Sequence, residues 1–272
     1  MNEVKKPIKR SPIRRFLGKE YFILKRRLRW VFTKNKYANK TAREPFKQLV
    51  FSHRSLILRP LKDVEMYLQE NKRTNLEIAI QHINQIQIKP NEYFSLWKLV
   101  GRPTKRKGYL EGLVLKSGEI DKDIGGGLCQ LGNLLFWIFA HSPLTIKERY
   151  RHGFDVFPDV NRKVPFGAGA TLSYNYIDLQ IKNETHHDFV IKLWMDQTHL
   201  HGALYSKKEI EESYKIEERN HQMKQQMWGG YTRHNQIVKI TTKDEHVSES
   251  LVVENHAIMM YSPFLEDKTT KP

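Results

Sequence analysis

Cys129 is the only cysteine of the chain, and it follows a glycine triplet, Gly125-Gly126-Gly127, and Leu128. An apolar run of helical length, Leu131 to Ala140, comes next. This order describes a turn that delivers a thiol to the first turn of a buried helix. The positive end of the helix dipole and unpaired backbone N–H groups would favour the thiolate there, and the thiolate is the nucleophile. Glycines lack side chains, so a substrate could approach the sulfur closely. Gly125, Gly126, Gly127 and Gln130 are therefore the expected substrate and oxyanion contacts. The plainer alternative is an inert thiol that packs as a small hydrophobe after an ordinary turn.

A nucleophilic thiol needs a proton acceptor. His152, in Arg149-Tyr150-Arg151-His152-Gly153-Phe154-Asp155, is the strongest candidate by position. The segment from Leu144 onward reads as extended, so His152 is expected on a strand beside the helix start. Helix-borne cysteine followed by strand-borne histidine is the order of papain-like and transglutaminase-like thiol enzymes, a fold-level analogy. His141 falls at the far end of the cysteine helix, too distant at about 1.5 Å rise per residue. Asp178 lies on the polar face of a strand built of Ile177, Leu179 and Ile181, where it would orient His152 as a third member. Asp155 and Asp159 compete for that role. The alternatives are a loop histidine with no duty and an aspartate paired across strands with a lysine.

Several phrases along the chain match one known family when taken together. They are Arg73-Thr74-Asn75-Leu76, Ile88-Lys89-Pro90-Asn91-Glu92, Phe94-Ser95, Lys107-Gly108-Tyr109 and Gly112. Ile124 to Gln130, Glu148-Arg149, His152, Gly169 to Tyr174 and Asp178 to Asn183 complete the set. The pattern resembles the VanW family, named for an accessory protein of B-type vancomycin-resistance clusters. The resemblance covers residues 70 to 206. It implies a cell-wall accessory protein tied to glycopeptide resistance. Some extracellular members cross-link peptidoglycan as L,D-transpeptidases through a cysteine acyl-enzyme. Carried onto this chain, that implies Cys129 as nucleophile, His152 as base and peptidoglycan stem peptides as substrate. The family often has Asp where this chain has Gly169, and Ser or Thr at Gly132 and Asn133. Asn133, one turn beyond Cys129, would still face it. The competing reading is a non-catalytic protein that binds a membrane surface or a peptidoglycan precursor.

The chain of 272 residues carries a net charge of +16, and that charge is lopsided. Residues 1–43 hold fifteen Lys and Arg against Glu3 and Glu20, which places +13 of the +16 in an N-terminal arm. Within the arm Ile13, Phe16, Leu17, Tyr21, Leu24, Leu28 and Val31 recur at spacings of three and four. This predicts an amphipathic helix with a basic face, suited to an anionic membrane surface. No nucleic-acid motif accompanies the basic stretch, so nucleic acid is not an expected partner. A single cysteine excludes an intrachain disulfide and any Cys-x-x-Cys site. His186-His187 and His199-x-His201 lie near the ends of one hairpin without a third ligand in view. No metal or cofactor is expected. The longest strictly apolar run, Leu134 to Ala140, is far short of the roughly 20 residues of a membrane span. The N-terminus shows no apolar signal region or cleavage site. A cytoplasmic chain, peripheral at the inner membrane face, is the expectation, and that calls for either a precursor substrate or another export route.

Around the cysteine helix the elements read as follows. Thr74-x-x-Glu77 forms a capping box before a helix with apolar face Leu76, Ala79, Ile80, Ile83 and Ile86, ended by Lys89-Pro90-Asn91. Leu113 to Leu115 is a short strand. Leu172, Tyr174 and Tyr176 alternate, and then Ile177, Leu179 and Ile181 alternate on the other parity, which predicts strands with a bulge near Tyr176-Ile177. Phe189 to Met195 and Leu200 to Tyr205 are strands. A charged linker follows, and a β-meander runs from Tyr214 to Tyr261, broken at Trp228-Gly229-Gly230 and Lys243-Asp244-Glu245. The fold class is α+β: a buried cysteine helix packed on an antiparallel sheet, with a basic helical arm before it and a β-meander after it. The domains expected are the arm, residues 1–45, a VanW-like domain, 46–206, and a β-rich extension, 207–272.

Overall fold

The computed structural model describes residues 11–58, 65–116, 119–156, 164–174 and 177–263. Helix α1 (Pro12–Phe32) starts where Ser11 Oγ accepts the Arg14 N–H at 3.3 Å and Pro12 fixes the first helical φ. Strands β1 (Lys40–Thr41) and β2 (Gln48–Leu56) lead to helix α2 (Met66–Gln81). Then come β3 (Ile86–Ile88), β4 (Tyr93–Ser95) and the short helix α3 (Leu96–Val100). A hairpin of β5 (Glu111–Lys116) and β6 (Glu119–Ile124) runs directly into the glycine turn and α4 (Cys129–Ala140). Beyond it are β7 (Thr145–Glu148), β8 (Phe154–Asp155), β9 (Gln180–Lys182), β10 (Phe189–Met195) and β11 (His199–Ser206). The meander is β12 (Ser213–Gln225), β13 (Tyr231–Lys243) and β14 (His246–Met259).

The protein is α+β. A five-stranded sheet has the order β1-β3-β10-β11-β2, and a three-stranded sheet the order β4-β9-β7. Helix α4 packs against both. Gly202 of β11 carries no side chain because an added Cβ would lie 2.7 Å from Ile138 and 3.1 Å from Leu134. On the other side the Phe139 ring meets Phe94 of β4 edge-on at 5.3 Å. Leu131, Leu134, Leu135, Phe136, Ile138 and Phe139 are all buried, each worth about 1.5–3 kcal/mol of transfer free energy. The helix tolerates this burial because its side chains are apolar except for Gln130 and the exposed Asn133, both of which make hydrogen bonds.

Two elements differ from the sequence expectation. Helix α2 begins eight residues before Thr74, so Thr74 and Glu77 lie inside it and cap nothing at its start. It also stops at Gln81. The apolar spacing that continues through Ile83 and Ile86 belongs to a turn and to β3, which bury into the same core, and Gln85 reverses the chain with φ 63°. Residues 171–174 form no strand. They carry only an isolated bridge, Ser173 to Ile177, because their backbone groups bond to Tyr150 and Cys129 instead. The bulge expected near Tyr176-Ile177 lies partly outside the described residues.

The meander is tied to the rest of the chain. Its last strand, β14, pairs in parallel with β8 through Ile258–Phe154 and Met259–Asp155. Arg233 of β13 pairs with buried Asp155 at 3.3 Å, and Asn235 Nδ2 donates to Phe166 O. Helix α1 is held to the body by two clamps. Arg26 binds Glu148 of β7 through two hydrogen bonds, and Arg102 binds Glu20 the same way.

Candidate functional site

Cys129 is the first residue of α4 and retains partial exposure. Its sulfur is gripped by one residue. Leu172 N–H donates to Sγ at 3.4 Å, and the thiol donates to Leu172 O at 3.7 Å. The expected thiolate is not favoured here. Crowding by the surrounding protein pushes the thiol up, and the Leu172 N–H only partly opposes that. Desolvation outweighs the backbone N–H groups of Leu172 and Cys129 because the sulfur packs against the core.

The glycine turn has a different purpose from the one its sequence suggested. A Cβ on Gly125 would lie 2.6 Å from Pro103, and one on Gly127 2.2 Å from the Lys72 side chain. One on Gly126 would lie 2.0 Å from Gly112 O. Gly125 and Gly127 also hold φ of 77° and 89°, where only glycine is unstrained. The space over each glycine is thus filled by protein. Their N–H groups are also engaged: Gly125 donates to Leu110 O, Gly126 to Asp123 O and Gly127 to Leu113 O. They are not free oxyanion donors. Gln130 turns away as well, its Nε2 bonding Ser55 Oγ and Leu56 O of β2, both at 2.9 Å. Fully buried Asn75 locks the turn. It donates to Leu110 O and Gly126 O and accepts the Leu110 N–H at 2.8 Å.

His152 lies in the connection before β8 rather than on a strand. Its backbone N–H donates to Thr171 Oγ1 at 3.1 Å, and its Nδ1 is 2.6 Å from Phe154 O. Burial and nearby Arg151 hold the imidazole below its ordinary pKa. Among the described residues no hydrogen bond joins His152 to Cys129. The two are linked through consecutive residues: Thr171 holds His152, and Leu172 holds the sulfur.

Asp178 does not orient His152. Its carboxylate accepts from Ser95 Oγ at 2.6 Å, Trp97 N at 3.0 Å, Leu179 N at 2.9 Å and Gln180 Nε2 at 3.0 Å. It caps α3 together with Ser95, and burial raises its pKa to about 6. Asp155 is the carboxylate whose charge His152 feels, although it bonds Arg233 and Tyr261. Asp159 lies outside the described residues. His141 sits at the far end of α4, stacked on Phe51 at 4.1 Å. His201 pairs with Asp196 at 2.6 Å and stacks on Trp194, while His199 meets Thr198.

Three contributors were not assigned roles from sequence: Thr171, Leu172 and Arg149. Arg149 Nε donates to Gly169 O at 2.7 Å, and its Nη2 donates to Gly167 O and Asn255 Oδ1. The guanidinium lies over Phe136 at 5.0 Å, and burial beside Arg151 lowers its pKa to about 9. It straps the 164–172 loop across α4. Asn133 joins in, its Oδ1 accepting Ala170 N–H at 2.9 Å. A side chain at 169 would collide with that amide at 2.3 Å, so Asn133 fills the space an Asp at 169 would need. The only sequence signal for the strap was that Arg149 and the 169–174 phrase both belong to the family pattern.

Residues 71–205, which hold the cysteine helix, His152 and the strap over them, match the family described as VanW like protein. Through them the chain belongs to the VanW family. It is 40% identical over 152 residues to the vancomycin B-type resistance protein VanW of Enterococcus faecalis (strain ATCC 700802 / V583), covering 56% of this chain and 55% of that protein. It is 29% identical over 126 residues to the uncharacterized protein YoaR of Bacillus subtilis (strain 168), covering 45% of this chain and 39% of that one. The chain spans about half the length, or less, of these curated relatives. No solved structure matches the chain. Among the described residues no helix is long and apolar enough to cross a membrane.

Proposed function

We propose that the chain is a cell-wall accessory protein associated with glycopeptide resistance, and that Cys129 carries out acyl transfer on peptidoglycan stem peptides. The Thr171–Leu172 pair supports this reading, because it holds the His152 backbone and the Cys129 sulfur on adjacent residues. A His152 ring that donates from Nδ1 to Phe154 O leaves Nε2 as a lone-pair acceptor, and its lowered pKa keeps it neutral near pH 7. The resting pair is then thiol and imidazole, not thiolate and imidazolium. Proton transfer accompanies attack: sulfur bonds the amide carbon, and its proton passes to His152 Nε2. The C–N bond then breaks, and the leaving amine takes that proton. An acceptor amine or water attacks the thioester and regenerates the thiol.

The second reading is a non-catalytic protein that binds a peptidoglycan precursor. The raised thiol pKa and the engaged N–H groups of Gly125 to Gly127 favour it. Mass spectrometry of muropeptides incubated with the protein separates the two. Transfer predicts a new cross-linked or hydrolysed product and an acyl adduct on Cys129, both lost in Cys129→Ala. Neither product nor adduct, with stem-peptide binding unchanged by Cys129→Ala, would establish the binding reading instead.

A further inference from the structure

Helix α1 buries one edge and leaves the rest open. Ile23 and Arg26 are buried, Trp30 packs on the core, and Glu20 and Arg26 are held by Arg102 and Glu148. This fixes which face points outward. At about 100° per residue, Ile13, Leu17, Tyr21, Leu24, Leu28 and Val31 share one stripe of that open face. Their exposures run from 46% at Leu28 to 74% at Ile13 and Val31. Arg14, Lys25 and Arg29, all exposed, line one border of the stripe, and exposed Arg27 lies towards the other. The only carboxylate of the helix, Glu20, is committed to Arg102.

We propose that this outward face of α1 docks the protein on an anionic lipid surface, the helix lying in the headgroup plane with its leucines in the acyl boundary. A continuous exposed apolar stripe with a basic border is what such an interface stabilises. The charge complementarity extends past the helix, since residues 1–43 carry +13 of the net +16. A second copy fits less well. It would bring like-charged borders together, with no unpaired carboxylate on the helix to meet them. The clamp also ends on Glu148, the neighbour of Arg149, so docking would set the orientation of the Cys129 region towards the lipid.

The test is co-sedimentation of the full chain with phosphatidylglycerol–phosphatidylcholine vesicles and with phosphatidylcholine vesicles. It does not depend on any chemistry at Cys129. Binding is expected only to the anionic vesicles and should fall steeply in 1 M salt, where the screening length is about 3 Å. A triple variant, Leu17→Gln, Leu24→Gln and Leu28→Gln, keeps the charge and alters only exposed side chains. It should melt like the wild type and bind at least about tenfold more weakly. Arg14→Gln, Lys25→Gln and Arg29→Gln together should weaken binding about a hundredfold, at about fivefold per charge. Wild-type protein that ignores anionic vesicles, or a leucine variant that binds as well as wild type, overturns the proposal. So does a sedimenting dimer that the leucine variant dissolves while vesicles bind neither form.

Discussion

Replacing Gly126 with alanine tests what the glycine turn is for. A Cβ there would sit 2.0 Å from Gly112 O and 2.1 Å from Gly112 C, against an ordinary contact of 3.4 Å or more. Both partners are backbone, so no side chain can swing aside. The turn and the start of β5 must separate by more than 1 Å. Hydrogen bonds at the same place would stretch with them: Gly127 N to Leu113 O at 2.9 Å, Gly125 N to Leu110 O at 2.9 Å and Asn75 Nδ2 to Gly126 O at 2.9 Å. Overpacking costs about 1–3 kcal/mol, and each buried group left unbonded about 1–3 kcal/mol more. Overpacking with two such losses gives a destabilisation of about 3–9 kcal/mol, or a fall in Tm of about 9–27 °C at roughly 3 °C per kcal/mol for a chain of this size. Gly153→Ala is the control, since nothing lies within 4 Å of its added Cβ. Urea and thermal unfolding of the three proteins read the difference. If Gly126→Ala costs less than about 1 kcal/mol, the packing explanation is wrong and the glycine's openness serves something else.

Further outcomes follow from the same geometry. Cys129 should react slowly with iodoacetamide near neutral pH, with a rate midpoint above the ~8.5 of a free cysteine, and fast alkylation at pH 7 would refute a desolvated thiol. Asp178 has a folded pKa of about 6 against about 3.9 unfolded, so its contribution to stability is fully present below about 3.9 and is lost as pH rises through about 6. Relative to Asp178→Asn, the wild type should lose up to about 3 kcal/mol between pH 4 and pH 7, and a constant gap across that range contradicts the argument. Arg26→Met strands Glu148 at the α1 clamp, which should cost about 3 kcal/mol and speed tryptic cleavage within α1. Arg26→Lys should rescue it only in part, because an ammonium lacks the planar two-nitrogen fork with which Arg26 meets both Glu148 oxygens. Unchanged proteolysis in Arg26→Met would mean the clamp does not hold the helix.

Sequence alone determined what depends on local order. The amphipathic spacing and Ser11-Pro12 specify α1, and the apolar run after Cys129 specifies α4. Alternation with glycine-bearing or acidic turns specifies β10, β11 and the meander. The family pattern was legible too, because its phrases are contiguous residues. Tertiary structure alone decided the rest. That Asn75 lies inside α2 and bonds the glycine turn 51 residues away has no local signature. The same holds for Asp178, which reads as a strand residue free to face His152 yet closes the start of α3. Whether Cys129 ionises depends on a balance between a dipole that sequence predicts and a desolvation set by Leu172 and the core, which only packing determines. Glycines show the limit most plainly. A missing side chain can mean room for a ligand or room already taken by Pro103, Gly112 and Lys72, and the identity of the neighbour is a property of the folded chain.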